Sequence, residues 1–204
     1  MYYAVRIGLK TGIFDTWDEC KKSVIGYKGA VFKKFKNKID ALNFINQVHN
    51  KSDTNEIFVY TDGSCLNNGK SNAKAGIGIF FNDDDPRNVS RKHTGKQTNN
   101  QAELSAILQT FKILKNEIKQ HKIINIYTDS TYAIDCLTSY GKKQEYIGWV
   151  DNIPNKSLVK KVYKKYIKMK TVKLTHVYAH TGKTDIHSIN NAKADKLAKK
   201  GAMM

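Results

Sequence analysis

The chain has 204 residues and a 40% hydrophobic share, enough to bury a core in one medium domain or two small ones. Two prolines and 13 glycines exclude collagen-like and Pro/Gly-rich low-complexity classes, and a 26% charged share is ordinary for a folded protein. Thirty-five basic against 18 acidic residues leave a net charge of +17, an excess that favours a polyanionic partner, nucleic acid before an anionic membrane.

The first 46 residues hold nine basic and four acidic side chains, a balance of +5. Tyr2–Gly8 alternates as a strand, Lys10-Thr11-Gly12 turns, and Ile13-Phe14 opens a second strand. Thr16-Trp17-Asp18-Glu19 has the form of a helix start, with the helix running to Val24 before Gly26 and Gly29. Ala30–Phe35 reads as a third strand. Asn37 or Lys38 begins a helix with Ala41, Leu42, Ile45 and Val48 on one face. The polar run 47–55 reads as a short linker. The expectation is a small three-stranded sheet covered by two helices, residues 1–46, ahead of a larger domain, 56–204.

The larger part opens on a buried strand, Ile57–Thr61. Gly76–Phe81 and Val89–Thr94 continue it as a meander, with a turn at 82–86. Thr98 caps a helix carrying Leu104, Ile107, Leu108, Phe111 and Leu114. Ile123–Thr128 is the fourth strand, and Ser130 caps a helix to Leu137. Lys156–Lys168 is a basic amphipathic helix, Val172–Tyr178 the fifth strand and Asn191–Lys200 the last helix. This order predicts an α/β fold, a mixed five-stranded sheet with helices on both faces.

Two strands end alike, in Tyr60-Thr61-Asp62-Gly63-Ser64 and Tyr127-Thr128-Asp129-Ser130. Side by side and parallel, they would place both aspartates at their carboxyl ends, at the switch point where open α/β sheets bind ligands. Glu103 stands in the first turns of the Thr98 helix, and Asp195 on the last helix. Converging carboxylates repel one another unless they hold divalent cations. Oxygen ligands select Mg2+ or Mn2+, and two such ions suit phosphodiester hydrolysis.

The string Tyr-Thr-Asp-Gly-Ser, Thr-Asn-Asn-Gln-Ala-Glu-Leu, Tyr-Thr-Asp-Ser, His-Thr-Gly and Ala-Asp-Lys-Leu-Ala resembles type 1 ribonuclease H over residues 57–202. Tyr3-Ala4-Val5-Arg6, Lys10-Thr11-Gly12, Thr16-Trp17, Cys20 and Phe32-Lys33-Lys34-Phe35 resemble the hybrid-binding domain at the N-terminus of the eukaryotic enzymes. The resemblance implies an endoribonuclease that cuts the RNA strand of RNA–DNA hybrids with two Mg2+ ions, leaving a 5′-phosphate and a 3′-hydroxyl. It makes Asp62, Glu103, Asp129 and Asp195 the metal ligands and His180 the loop histidine that aids proton transfer and product departure. Asn191 also matches. Lys96, Thr98 and Asn155 correspond to a pocket for a DNA phosphate, with lysine where the family often has arginine. Cys65, Asn68, Asn99 and Asn100 fall where the family meets the hybrid minor groove. Tyr140 and Trp149 fall on a basic aromatic protrusion along the DNA strand, where Gln144 stands in place of an aromatic. Tyr3, Trp17, Phe32, Lys33 and Lys34 match the small domain's contacts to DNA, and the same domain can take double-stranded RNA.

The segment between His180 and Asp195 is about five residues longer than in the family, which adds a second histidine, His187. Cys20, Cys65 and Cys136 form no paired set, which fits a reducing compartment. No stretch approaches the roughly 18 apolar residues of a membrane span, and the first residues lack a signal-peptide layout. The expectation is an intracellular monomer, nuclear or cytoplasmic. The alternatives are a non-catalytic binder of hybrids or double-stranded RNA, and another nuclease of the same fold. Four intact carboxylates weigh against the first, and the N-terminal unit against the second.

Overall fold

The computed structural model describes residues 1–46, 55–150, 152–179 and 185–204. They pack as two units, one within Met1–Thr54 and one within Asn55–Met204. The expected linker lies outside the described residues, apart from Asn55, and so do Val48 and His180.

In the first unit, β1 (Tyr2–Ile7) is the centre of an antiparallel sheet, flanked by β2 (Gly12–Phe14) and β3 (Val31–Phe35). The Thr16 hydroxyl accepts from the Glu19 amide at 3.3 Å and starts α1 (Trp17–Val24), whose acidic first turn suits the helix dipole. Cys20 and Val24 of α1 close on Val5, a small core edged by Tyr3, Phe14 and Ala30. Asn37 accepts from the Asp40 amide at 2.8 Å ahead of α2 (Lys38–Asn46). Ala4 and Ala41 are fully buried, and the Arg6 guanidinium lies 4.8 Å from the Phe44 ring centroid.

The second unit has five strands in the order β6-β5-β4-β7-β8. β4 (Glu56–Leu66), β5 (Lys74–Phe80) and β6 (Val89–Lys92) form an antiparallel meander. β7 (Ile123–Thr128) runs parallel to β4, and β8 (Val172–His176) parallel to β7. The connecting helices are α3 (Asn99–Ile113), α4 (Lys115–Lys119), α5 (Thr131–Leu137), α6 (Ser139–Tyr146), α7 (Lys156–Tyr166) and α8 (Ile186–Ala202). Thr98 caps α3 and Ser130 caps α5, each accepting from the amide three residues on. One face of the sheet buries Val59, Ile77, Ile79, Ile124 and Ile126 against Leu104, Ile107, Phe111, Val159 and Val162. The other buries Tyr60 and Phe80 against Ala194 of α8.

Two expectations are corrected, and two helices are added. β4 does not end at Thr61 but runs on to Leu66, because β5 keeps pairing with it as far as Leu66 opposite Lys74. Asp62 is therefore inside a strand, not at its end. α8 begins at Ile186, five residues before Asn191, because Asp185 caps it by accepting from the His187 and Ser188 amides at 3.1 Å. Residues 186–190 are therefore helix. α4 and α6 lie in stretches whose periodicity was too weak to mark them.

Candidate active site

The parallel ladder of β4 and β7 runs through Tyr60 opposite Tyr127, and two residues further on Asp62 is level with Asp129. β7 stops at Thr128, so Asp129 leads into α5 and the space beside β4 opens at that level. Glu103 reaches this opening from α3. Gly63 lets α3 come so near: a Cβ there would overlap the Glu103 backbone nitrogen. α8 approaches the opposite face by the same device, since a Cβ on Gly78 would overlap the Ala194 carbonyl.

Carboxylate oxygens of Asp62, Glu103 and Asp129 all lie within 4.8 Å of one another. Asp62 and Glu103 are 5% and 3% exposed, and Asp129 is half-buried. Burial, and then the charges of Asp129 and Asp195, push the Asp62 carboxyl up to about 8. Burial and the charges of Asp62 and Asp129 hold Glu103 well above the usual carboxylate range. Asn99 Nδ2 donates to Glu103 Oε1 at 3.5 Å, while the buried Oε2 has no hydrogen-bond partner. An all-oxygen set with an orphaned buried oxygen fits a hard divalent cation, whose charge would offset the mutual repulsion.

Asp195 stands outside that trio. Its Oδ2 is 2.7 Å from Lys199 Nζ, one turn along α8, yet its charge still reaches Asp62. Asn191 is buried and donates from Nδ2 to Asp129 Oδ2 at 3.0 Å.

Around the acids, Asn68 Oδ1 accepts from the Asn99 amide at 3.3 Å, and Asn100 is exposed beside it. Cys65 Sγ donates to the Gln97 carbonyl at 3.5 Å. Lys96 is exposed, and its carbonyl accepts from the Thr98 amide at 2.9 Å. Asn155 accepts from Gln101 Nε2 at 2.9 Å and donates to the Tyr132 hydroxyl at 3.0 Å. Half-buried Tyr140 lines a groove with Tyr132, Cys136, Lys143 and Pro154. Trp149 does not join it. It is 6% exposed and packs edge-on against Tyr163, with ring centroids 5.7 Å apart. The turn in which the Trp149 amide donates to the Gln144 carbonyl folds the indole into the core, and Gln144 is buried as well.

In the first unit, Trp17 and Phe32 are exposed, with their ring centroids 5.6 Å apart, and Tyr3 is 5.7 Å from Trp17. Lys34 Nζ lies 5.5 Å from the Tyr3 ring centroid. Strand alternation sends Lys33 to the other face, where its ammonium is 5.6 Å from the Phe35 ring centroid.

Residue patterns alone did not single out Gly63, Gly78, Lys199 or the contacts of Tyr60 and Tyr127. One signal was present: Gly76 and Gly78 alternate on β5, and Ala194, Ala198 and Ala202 recur every fourth residue on α8, two small faces made to meet.

The RNase H family profile matches residues 54–203, and the profile described as the Ribonuclease H1 N-terminal domain matches residues 1–45. Ribonuclease H1 of Mus musculus is 28% identical over 266 residues, covering 99% of this chain and 89% of its own length. Ribonuclease H of Schizosaccharomyces pombe is 30% identical over 272 residues, covering 98% and 97%. The solution structure of the PFV RNase H domain superposes with a TM-score of 0.56 at 25% identity, over 72% of this chain and 94% of that one. LC11-RNase H1, isolated from compost by a metagenomic approach, shares the fold at a TM-score of 0.52 and 20% identity, over 74% of this chain and 97% of that one. Both domains match in order, and the yeast relative is similar along nearly its whole length, so the chain belongs to the ribonuclease H family and is a type 1 ribonuclease H enzyme with the N-terminal domain of ribonuclease H1.

Proposed function

We propose that this enzyme hydrolyses the RNA strand of RNA–DNA hybrids with two divalent cations, Mg2+ or its substitute Mn2+, and leaves a 5′-phosphate and a 3′-hydroxyl. The convergence of Asp62, Glu103 and Asp129 from three separate elements carries this reading. When bound, the cations supply positive charge to the scissile phosphate and to its attacking and leaving oxygens. Asp62, Glu103, Asp129 and Asp195 hold them. Asn191 orients Asp129 through its hydrogen bond. His180 has the role in proton transfer that the family resemblance implies.

Asn68, Asn99, Asn100 and Cys65 meet the minor groove of the hybrid and its 2′-hydroxyls, the groups that tell RNA from DNA. Asn99 ties this surface to the acids through Glu103. Lys96, Thr98 and Asn155 grip a DNA phosphate, with Asn155 set by Gln101 and Tyr132. Tyr140 lies along the same strand. In the first unit, the rings of Tyr3, Trp17 and Phe32 pack on DNA sugars, and Lys33 and Lys34 meet phosphates from the two faces of β3. That unit binds hybrid first and double-stranded RNA second. Among the described residues no helix is long and apolar enough to cross a membrane, and the three cysteines are free, as suits a reducing compartment. The enzyme acts as a monomer inside the cell.

The direct test is to incubate labelled hybrid, RNA duplex and DNA duplex with protein and Mg2+. Only the RNA strand of the hybrid should be cut, and replacing its riboses by deoxyriboses should stop the reaction. Cutting of plain duplex DNA would point to another nuclease of this fold, and binding without cutting to a non-catalytic protein.

The two units should separate by task. Deleting residues 1–46 should weaken hybrid binding and lower processivity on long hybrids, with little change in the single-turnover rate on saturating short hybrid. Alanine at Trp17, Lys33 and Lys34 should copy the deletion. It should also flatten the salt dependence of binding by up to about two counterions, one per lysine. Identical affinity and salt slope for the intact, deleted and substituted proteins would remove the first unit from hybrid binding.

A further inference from the structure

The start of α8 is fixed to the sheet by a row of rings that no step above uses. Strand alternation puts Phe58, Tyr60 and Asp62 on one face of β4, with Tyr127 and Asp129 on the same face of β7. The aromatic row therefore leads into two of the acids. The Tyr127 ring stacks on Tyr60 at 5.1 Å and on Phe58 at 6.3 Å. His187, in the first turn of α8, extends the row: its ring lies 4.2 Å from Tyr127 at 22°, and its Nδ1 is 3.0 Å from the Tyr60 hydroxyl. Asp185 holds the backbone beneath that ring by accepting from the His187 and Ser188 amides.

His187, Asn191 and Asp195 are four residues apart in turn, so they share one face of α8. The helix rises about 1.5 Å per residue, so a slip of one residue at His187 would move Asn191 off its 3.0 Å bond to Asp129. The opposite half of the helix is already fixed, since Ala194 and Ala198 rest on Gly78 without a side chain between them. Anchors at both ends leave Asn191 and Asp195 a single register against Asp129.

We infer that His187 is a positioning residue: stacked on Tyr127 and hydrogen-bonded to Tyr60, it fixes the first turns of α8 and, together with the Gly78 contact further along, holds Asn191 and Asp195 toward the divalent-ion site. This deepens the reading of Asp129, Asn191 and Asp195 as part of that site, and rests on it. His187 lies in the first turn of α8, so that turn anchors the helix bearing Asn191 and Asp195.

The test uses the full chain and the variants His187→Ala, His187→Phe and Asp195→Asn. Isothermal titration with Mg2+, and melting against Mg2+ concentration, read ion binding without catalysis. Melting in chelator reads fold stability alone, and cleavage against Mg2+ separates the half-saturating concentration from kcat. Partners of a metal ligand typically change affinity 10–100-fold, so His187→Ala, acting through the helix, should raise the half-saturating Mg2+ about tenfold, with kcat at saturating Mg2+ within about twofold. His187→Phe keeps the stack and loses the hydrogen bond, so it should fall between, at about threefold. If the alanine variant does not fold, the phenylalanine variant decides by the same readout. Melting lowered in chelator with half-saturating Mg2+ unchanged would reduce His187 to a packing residue and overturn the inference. An unchanged Mg2+ response in Asp195→Asn would instead overturn the ion-site reading, and the inference with it.

Discussion

Asp62→Asn should lower cleavage of hybrid by more than a hundredfold and leave hybrid binding equal or tighter. A ligand lost from a metal site that stabilises a phosphoryl-transfer transition state removes on the order of several kcal/mol. Binding holds because one negative charge beside the phosphates is gone. The same substitution should raise the melting temperature in chelator, because the Asp62 carboxyl, pushed up to about 8 by burial and by Asp129 and Asp195, is ionised only at a cost to the metal-free fold. At neutral pH an asparagine has no such penalty. Single-turnover cleavage, a binding titration and a melt in chelator check the three parts. Residual cleavage at a tenth of the normal rate would remove Asp62 from the metal site.

Gly63→Ala should damage both the stability and the active site of the larger unit. The added Cβ would overlap the backbone nitrogen of Glu103, and backbone cannot swing aside as a side-chain tip can. Overpacking of this kind costs about 1–3 kcal/mol, and more where backbone must shift. In a domain of this size each kcal/mol lowers melting by about 2–4 °C, so a fall of about 5–10 °C is expected. Relief requires α3 to back away from β4, taking Glu103 with it. Cleavage should therefore fall at least tenfold even at temperatures where the variant is fully folded. A melting curve and a rate below the transition measure both effects. Unchanged values in both would mean that α3 does not rest directly on β4.

The local grammar of the chain was legible wherever one short-range force governs. Thr16, Thr98 and Ser130 cap helices, because a hydroxyl bonding an amide three residues on is decided within one turn. β7 is bounded as Ile123–Thr128, and its alternation matches its burial. The acids were legible as a set because two repeated Tyr-Thr-Asp strings and a capped helix with an early glutamate are rare together. Trp149 is buried, although an aromatic near lysines reads equally well as a surface ring or as core. The backbone turn onto the Gln144 carbonyl decides between them. Adjacency groups Lys33 with Phe32 and Lys34, whereas alternation along β3 sends neighbours to opposite faces.

Composition, charge and motif order by themselves determined the mixed sheet and the excess of positive charge and marked the acids as candidates, because each is written in residue type and spacing. The tertiary structure decided where those acids meet. Asp62 gains its place from the register of β4 against β7 and from the early end of β7, a pairing between segments about 65 residues apart that no local pattern contains. Glu103 joins it because Gly63 leaves no side chain between α3 and β4, and a glycine reveals its reason only through the neighbour it admits. Residues 186–190 became helix in part because Asp185 found amides to cap and His187 found Tyr127 to stack on. Those contacts are long-range in sequence and short-range in space, so they exist only once the sheet and α8 have packed.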